Sequence, residues 1–175
     1  MKSISSLVAA TLLAGTCCSV TASAQETKPA APSKEQVLTA IQLLETRPRS
    51  DQAKGLRAEL IAWLTDAPDV SVNVCAAIVN PFLQSKYRYH DELMMQVMLG
   101  GAAYILQHPD SAGNQVAINR AGILSSLRTY GVLRDADPAQ AMPELDPILK
   151  ARNGGTLDAW VHDALAECSV AKPQH

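Results

Sequence analysis

Residues 93–106 constrain this chain more than any other stretch. Leu93, Met94, Met95, Val97, Met98, Leu99, Ala102, Ala103, Ile105 and Leu106 leave almost no polar face on a helix expected over residues 87–107. A helix that is apolar all round has to be covered on several sides, and this run is too short to cross a bilayer. The rest of the chain must therefore wrap one central helix. Gly100-Gly101 sits in the middle of it, where each glycine costs roughly 1 kcal/mol against alanine. The expected compensation is the close approach of a neighbouring helix.

The flanking segments supply the cover. Ser33 followed by Gln36 forms a capping box, after which Val37, Ile41 and Leu44 recur at helical spacing until Arg47-Pro48 stops the pattern. A second stripe, Ala53, Leu56, Leu60, Trp63 and Leu64, starts near Ser50 or Asp51 and ends at Ala67-Pro68. Val72, Cys75, Val79 and Phe82 recur at three and four residues. They read as a helix face despite their β-branched content, because a lone strand has nothing to pair with. After His108-Pro109, one of Asp110, Ser111 or Asn114 caps a helix bearing Ile118, Ala121, Leu124 and Leu127, with Tyr130 and Gly131 at its expected end. Asp137-Pro138 starts another turn, and Pro143 and Pro147 break the pattern, predicting short kinked pieces over residues 136–152. Asn153-Gly154-Gly155 is a turn, and Thr156 caps a last helix with Leu157, Trp160, Val161, Ala164, Leu165 and Cys168 on one face. The fold class expected is all-α: an irregular antiparallel bundle of about six to seven helices, without the fixed period of a repeat solenoid.

The N-terminus reads as an export signal. Lys2 precedes the apolar run 7–15, and Ala22-Ser23-Ala24 offers the small side chains of a cleavage site. The organisation expected is a signal peptide (1–24), a flexible leader (25–32), a single helical domain (33–170) and a disordered tail (171–175), in the periplasm or secreted. An alternative is lipid anchoring through Cys17 or Cys18, since Leu13-Ala14-Gly15 has the look of a lipoprotein triplet. Losing Lys2 with the signal takes the 15 basic and 17 acidic groups to about 14 and 17, a net charge near −3. That balance gives no electrostatic footprint for nucleic acid or anionic lipid. Cleavage also leaves only Cys75 and Cys168, both on apolar faces, and an oxidising compartment predicts a disulfide between them.

Chemistry-bearing motifs are sparse. His108-Pro109-Asp110 between two helices resembles the tripeptide of the Hsp40 J-domain. Ala121, Ser125, Thr129-Tyr130 and Val132-Leu133-Arg134-Asp135 are similar to the helix that follows it in that family. The resemblance implies stimulation of an Hsp70 ATPase. It spans about thirty residues and lacks the strongly basic helix that should precede the tripeptide. His90-Asp91-Glu92 point about 100° apart on a helix and cannot close on one ion. Asp158 and His162 share a face but make only two ligands, and Glu144 and Asp146 read as capping acids around prolines. There is no Gly-x-Ser-x-Gly turn and no phosphate-binding glycine loop. No metal and no cofactor is expected. The leading functional expectation is a non-enzymatic module that binds an envelope protein or peptide. Alternatives are a small apolar-ligand carrier, with a pocket beside the methionine-rich helix at Met94, Met98 and Tyr104, and a hydrolase with an unrecognised site.

Overall fold

The computed structural model describes residues 31–83 and 86–170. The expected signal peptide, the cysteines at 17 and 18, most of the expected leader and the expected tail lie outside the described residues. Seven α-helices account for the described chain, with no strand among the described residues: α1 (Lys34–Thr46), α2 (Ala53–Asp66), α3 (Ala76–Val79), α4 (His90–Gln107), α5 (Gln115–Ala136), α6 (Asp146–Asn153) and α7 (Leu157–Val170). Single 3-10 turns occupy Asn80–Phe82, Pro109–Ser111 and Pro143–Leu145.

The central helix is α4, and its main partner is α5. Three contacts give their register. The Ser126 hydroxyl donates to the Leu93 carbonyl (2.8 Å), Gly122 lies against the Val97 carbonyl, and Gly101 lies against Ile118. Numbers rise on α4 as they fall on α5, four at a time, so the pair is antiparallel and meets once per turn along one face. Glycine makes this closeness possible. A Cβ on Gly100 would meet Ser125 Cβ at 2.5 Å and Gly122 Cα at 3.0 Å. One on Gly122 would fall on the Val97 carbonyl oxygen, well inside the 3.0 Å that real Cβ atoms keep. The expected return on the glycine pair is thus a backbone-to-backbone crossing, in which Gly122 is the partner on the other helix.

Around this pair, α1 leans on both helices, α2 on α1 and α4, and α7 on α3, α5 and α6. The larger core gathers Phe82, Leu93, Ile123, Leu127, Leu145, Ile148 and Val161. A smaller one joins Val37, Ile41, Leu44 and Leu60 to Leu99 on α4. Each such fully buried side chain contributes ~1.5–3 kcal/mol. A third core gathers Val70 and Ile118 around Ala102 and Ile105 of α4; different faces of α4 thus serve all three, which explains its all-round apolar sequence. Cys75 and Cys168 are disulfide-bonded, with Cα atoms 5.9 Å apart, and tie the N-cap of α3 to the end of α7.

The capping box at Ser33 and Gln36 is present, with both reciprocal hydrogen bonds (3.3 and 2.7 Å), and Asn114 is the residue that caps α5. Other expectations need correction. The helix expected over 72–82 is only α3 and a 3-10 turn. Residues 71–75 are irregular, and Cys75 is an N-cap rather than a mid-helix residue. Four β-branched residues within one short stretch, plus Pro81, leave too little to propagate a longer helix. Conversely, α5 runs through Gly131 to Ala136. Burial of Leu133 at 1 % continues the apolar stripe past the glycine, and Asp137-Pro138 ends the helix instead. Pro143 and Pro147 open their elements rather than break them, sitting in the first turn where a missing N–H is harmless. Thr156 stands directly before α7, where its carbonyl accepts from the Trp160 N–H (3.1 Å), and its hydroxyl also donates to the Ala151 carbonyl (3.4 Å).

Candidate functional site

Where α1 lies across the α4–α5 pair, a groove of about 400 Å³ opens. Its floor is Gly100 with Ala103 and Ala121, so the absence of side chains that allows the helices to touch also hollows the surface above them. Leu38 and Ile41 of α1 and Leu124 of α5 form apolar walls, and Gln42 and Gln107 supply amides. A neighbouring cavity of about 320 Å³ shares Tyr104, Arg120 and Ala121 with it and continues toward Asp158 on α7. Tyr104 stands where the two join, its ring 4.6 Å from that of His108.

One end of the groove is a polar network. Glu45, in the last turn of α1, accepts from the Ser125 hydroxyl (2.6 Å) and from both Nε and Nη2 of Arg128. The Gln96 amide donates to Ser125 Oγ (2.8 Å) and reaches the Ile41 carbonyl (3.5 Å). Gln96 and Ser125 are 1 % and 2 % exposed, and the Glu45 side chain is 14 % exposed. A carboxylate at a helix C-terminus is disfavoured by the macrodipole, and three donated hydrogen bonds offset that. In this geometry Ser125 is a connector: its proton goes to Glu45 and its lone pair to Gln96. At the other end Arg120 pairs with Asp158 (2.6 Å). Both arginines of the groove are therefore neutralised from within.

Of Met94, Met98 and Tyr104, expected beside a pocket, Tyr104 lines this groove. Met94 packs on the larger core. Met98 lies two positions from Gly100, about 200° around the helix, and neither methionine lines the groove or its extension. The histidines are dispersed. His90 Nδ1 meets the Tyr87 carbonyl (2.8 Å) and its Nε2 meets Asp91 (3.2 Å). His162 pairs with its neighbour Asp163 (3.5 Å), while Asp158 turns to Arg120. His108 is the C-cap of α4, followed directly by the 3-10 turn, and α4 carries no lysine or arginine. Asp146 sits in the first turn of α6 and Glu144 in the turn before it. Among the described residues no group of three or more histidine, cysteine or acidic side chains is arranged to hold a metal ion.

Sequence reasoning missed Glu45, Gln96, Ser125 and Arg128. A signal existed: Gln96 is the one amide inside an otherwise apolar run, and a buried amide needs partners. No family model, curated protein or solved structure matches this chain in comparison.

Proposed function

We propose that this protein is a non-enzymatic binding module of the bacterial envelope, and that its groove between α1, α4 and α5 takes an extended, uncharged peptide segment. The observation that carries this reading is the internal neutralisation of the groove. Glu45 answers Arg128 and Asp158 answers Arg120, so a ligand gains nothing from net charge. What remains for recognition is a floor of small residues, apolar walls, and the Gln42, Gln107 and Tyr104 polar groups. Alternating amides and short apolar side chains along a peptide complement that surface. Pockets of this size, in which apolar walls alternate with placed polar groups, can hold a short ligand segment. The Cys75–Cys168 bond supports an oxidising, exported location. No helix among the described residues is long and apolar enough to cross a membrane.

The test is a library of short uncharged peptides titrated against the protein, with backbone amide shifts as the readout. Binders should move Gly100, Ala121 and Tyr104. Ala121→Trp, which fills the groove, should abolish binding, and Gln107→Ala should weaken it at unchanged Tm. Peptides that bind without moving these residues, or a library without a single binder, would refute the reading.

A further inference from the structure

Two arginines, Arg57 and Arg152, hydrogen-bond to the Pro48 carbonyl and to the Asn153 side chain, and the other six divide into two kinds. Arg120, Arg128 and Arg134 each have a carboxylate within reach. Arg47, Arg49 and Arg88 have none within 4.0 Å among the described residues, although the whole chain is net negative. These three converge. Arg49 and Arg88 both lie over the Tyr89 ring, 5.3 and 5.5 Å from its centroid. Arg47 and Arg49 flank Pro48 in the α1–α2 connection and line a second hollow of about 430 Å³. Ser50 also lines it, and its hydroxyl oxygen is buried with no hydrogen-bond partner. The opposite wall is Val132, Leu133 and Ala136 from the end of α5, and Val132 is 39 % exposed, one of the few large apolar side chains left uncovered.

We infer that this hollow is a binding site for an organic anion with a short aliphatic body, its carboxylate held by Arg47, Arg49 and the Ser50 hydroxyl, and its chain laid on Val132 and Ala136. A guanidinium stacked on an aromatic ring spends its π face and keeps its in-plane N–H donors, so Arg49 is both fixed and available. Guanidinium forks match carboxylates in two-point geometry. The carbonyl end of α5 opposes an anion with roughly half a charge, against two full positive charges on the other wall. Asp135 is turned to Arg134 (3.7 Å). The site lies on different residues from the α1–α4–α5 groove, so it stands or falls independently of the peptide reading.

The experiment is titration of the full protein with octanoate, octanol and inorganic phosphate, followed by the methyl signals of Val132 and Ala136. Octanoate should bind with saturation, and octanol and phosphate at least tenfold more weakly. Arg47→Gln and Arg49→Gln, both at exposed positions, should each weaken octanoate severalfold and together by more than tenfold. Arg152→Gln, at an exposed residue outside the hollow whose side chain hydrogen-bonds to Asn153, should leave it unchanged. The inference is overturned if octanoate leaves Val132 and Ala136 unmoved, if phosphate or octanol binds as tightly, or if the double variant retains its affinity with an unchanged Tm.

Discussion

Replacing Gly122 by alanine is the sharpest probe of the α4–α5 crossing. In an ordinary helix interior this change stabilises, by about 1 kcal/mol. Here the new Cβ meets the Val97 carbonyl oxygen, with the Val97 Cγ1 methyl 3.3 Å away on the same side. A backbone oxygen cannot swing aside as a side-chain tip does, so the helices must separate. That separation loosens the hydrogen bond from Ser126 to Leu93 and the contact of Gly101 with Ile118. Overpacking of this kind costs about 1–3 kcal/mol. With a rigid neighbour the upper half of that range applies, leaving a net loss of ~1–2 kcal/mol after the propensity gain. For a domain of this size that lowers Tm by roughly 2–8 °C. The internal control is Gly131→Ala, in the same helix, where a Cβ meets nothing within 4 Å. That variant should gain about 0.5–1 kcal/mol. Paired denaturant melts of the two variants give the answer. If Gly122→Ala is as stable as Gly131→Ala, the crossing does not hold the helices at backbone contact and the reasoning fails.

Three further outcomes are expected. Ser125→Ala should cost about 1–3 kcal/mol in urea unfolding, because it strips a donor from Glu45 and leaves the buried Gln96 amide without its short partner; a neutral result would mean water replaces the hydroxyl. Replacing both Cys75 and Cys168 by alanine should cost up to ~4–5 kcal/mol in the chain-entropy model, since they stand 93 residues apart; an unchanged melting curve would show that the bond constrains nothing. Burial above all, then Tyr130, Tyr89, Glu92 and Asp137, holds the Tyr87 phenol well above its ordinary value of 10.0. Its neutral form therefore stabilises the fold fully below pH ~10, and that contribution fades as pH rises above the unfolded-state value. Ultraviolet titration should find a tyrosine that ionises only on unfolding and that is missing in Tyr87→Phe. Because the Tyr87 hydroxyl is buried without a partner, that variant should be no less stable at neutral pH.

The parts of this fold that could be read ahead of the structure share one physical origin. Local rules decide them. The Ser33 capping box, the stop at Arg47-Pro48 and the buried stripe Val37, Ile41 and Leu44 depend on residues a few positions apart, and each stands where periodicity put it. The Cys75–Cys168 bond was legible by elimination. Errors came where local preference competes with distant packing. Gly131 has the look of a helix end, yet the burial of Leu133 carries α5 onward. Residues 71–75 have a helical spacing that the chain never uses. The groove was least legible, because it depends on register. Nothing near Glu45 in the sequence indicates that Ser125 and Arg128 will face it from another helix. Met94 and Met98 drew attention by composition, while the hollow formed on the other side of α4, where glycine and alanine leave room.

The glycine floor also sets what can change in this protein over evolutionary time. Any side chain added at Gly100 to reshape the groove from beneath meets Ser125 and Gly122 at once, so the floor cannot be tuned without breaking the crossing. The rim is different. On α1 Leu38 is half-buried and Gln42 exposed, and Gln107 is the exposed last residue of α4. Substitutions there alter what the groove meets and leave the helix pair untouched. Homologues that bind different ligands should therefore diverge along the outer edge of α1 and at the end of α4, around a base that stays glycine.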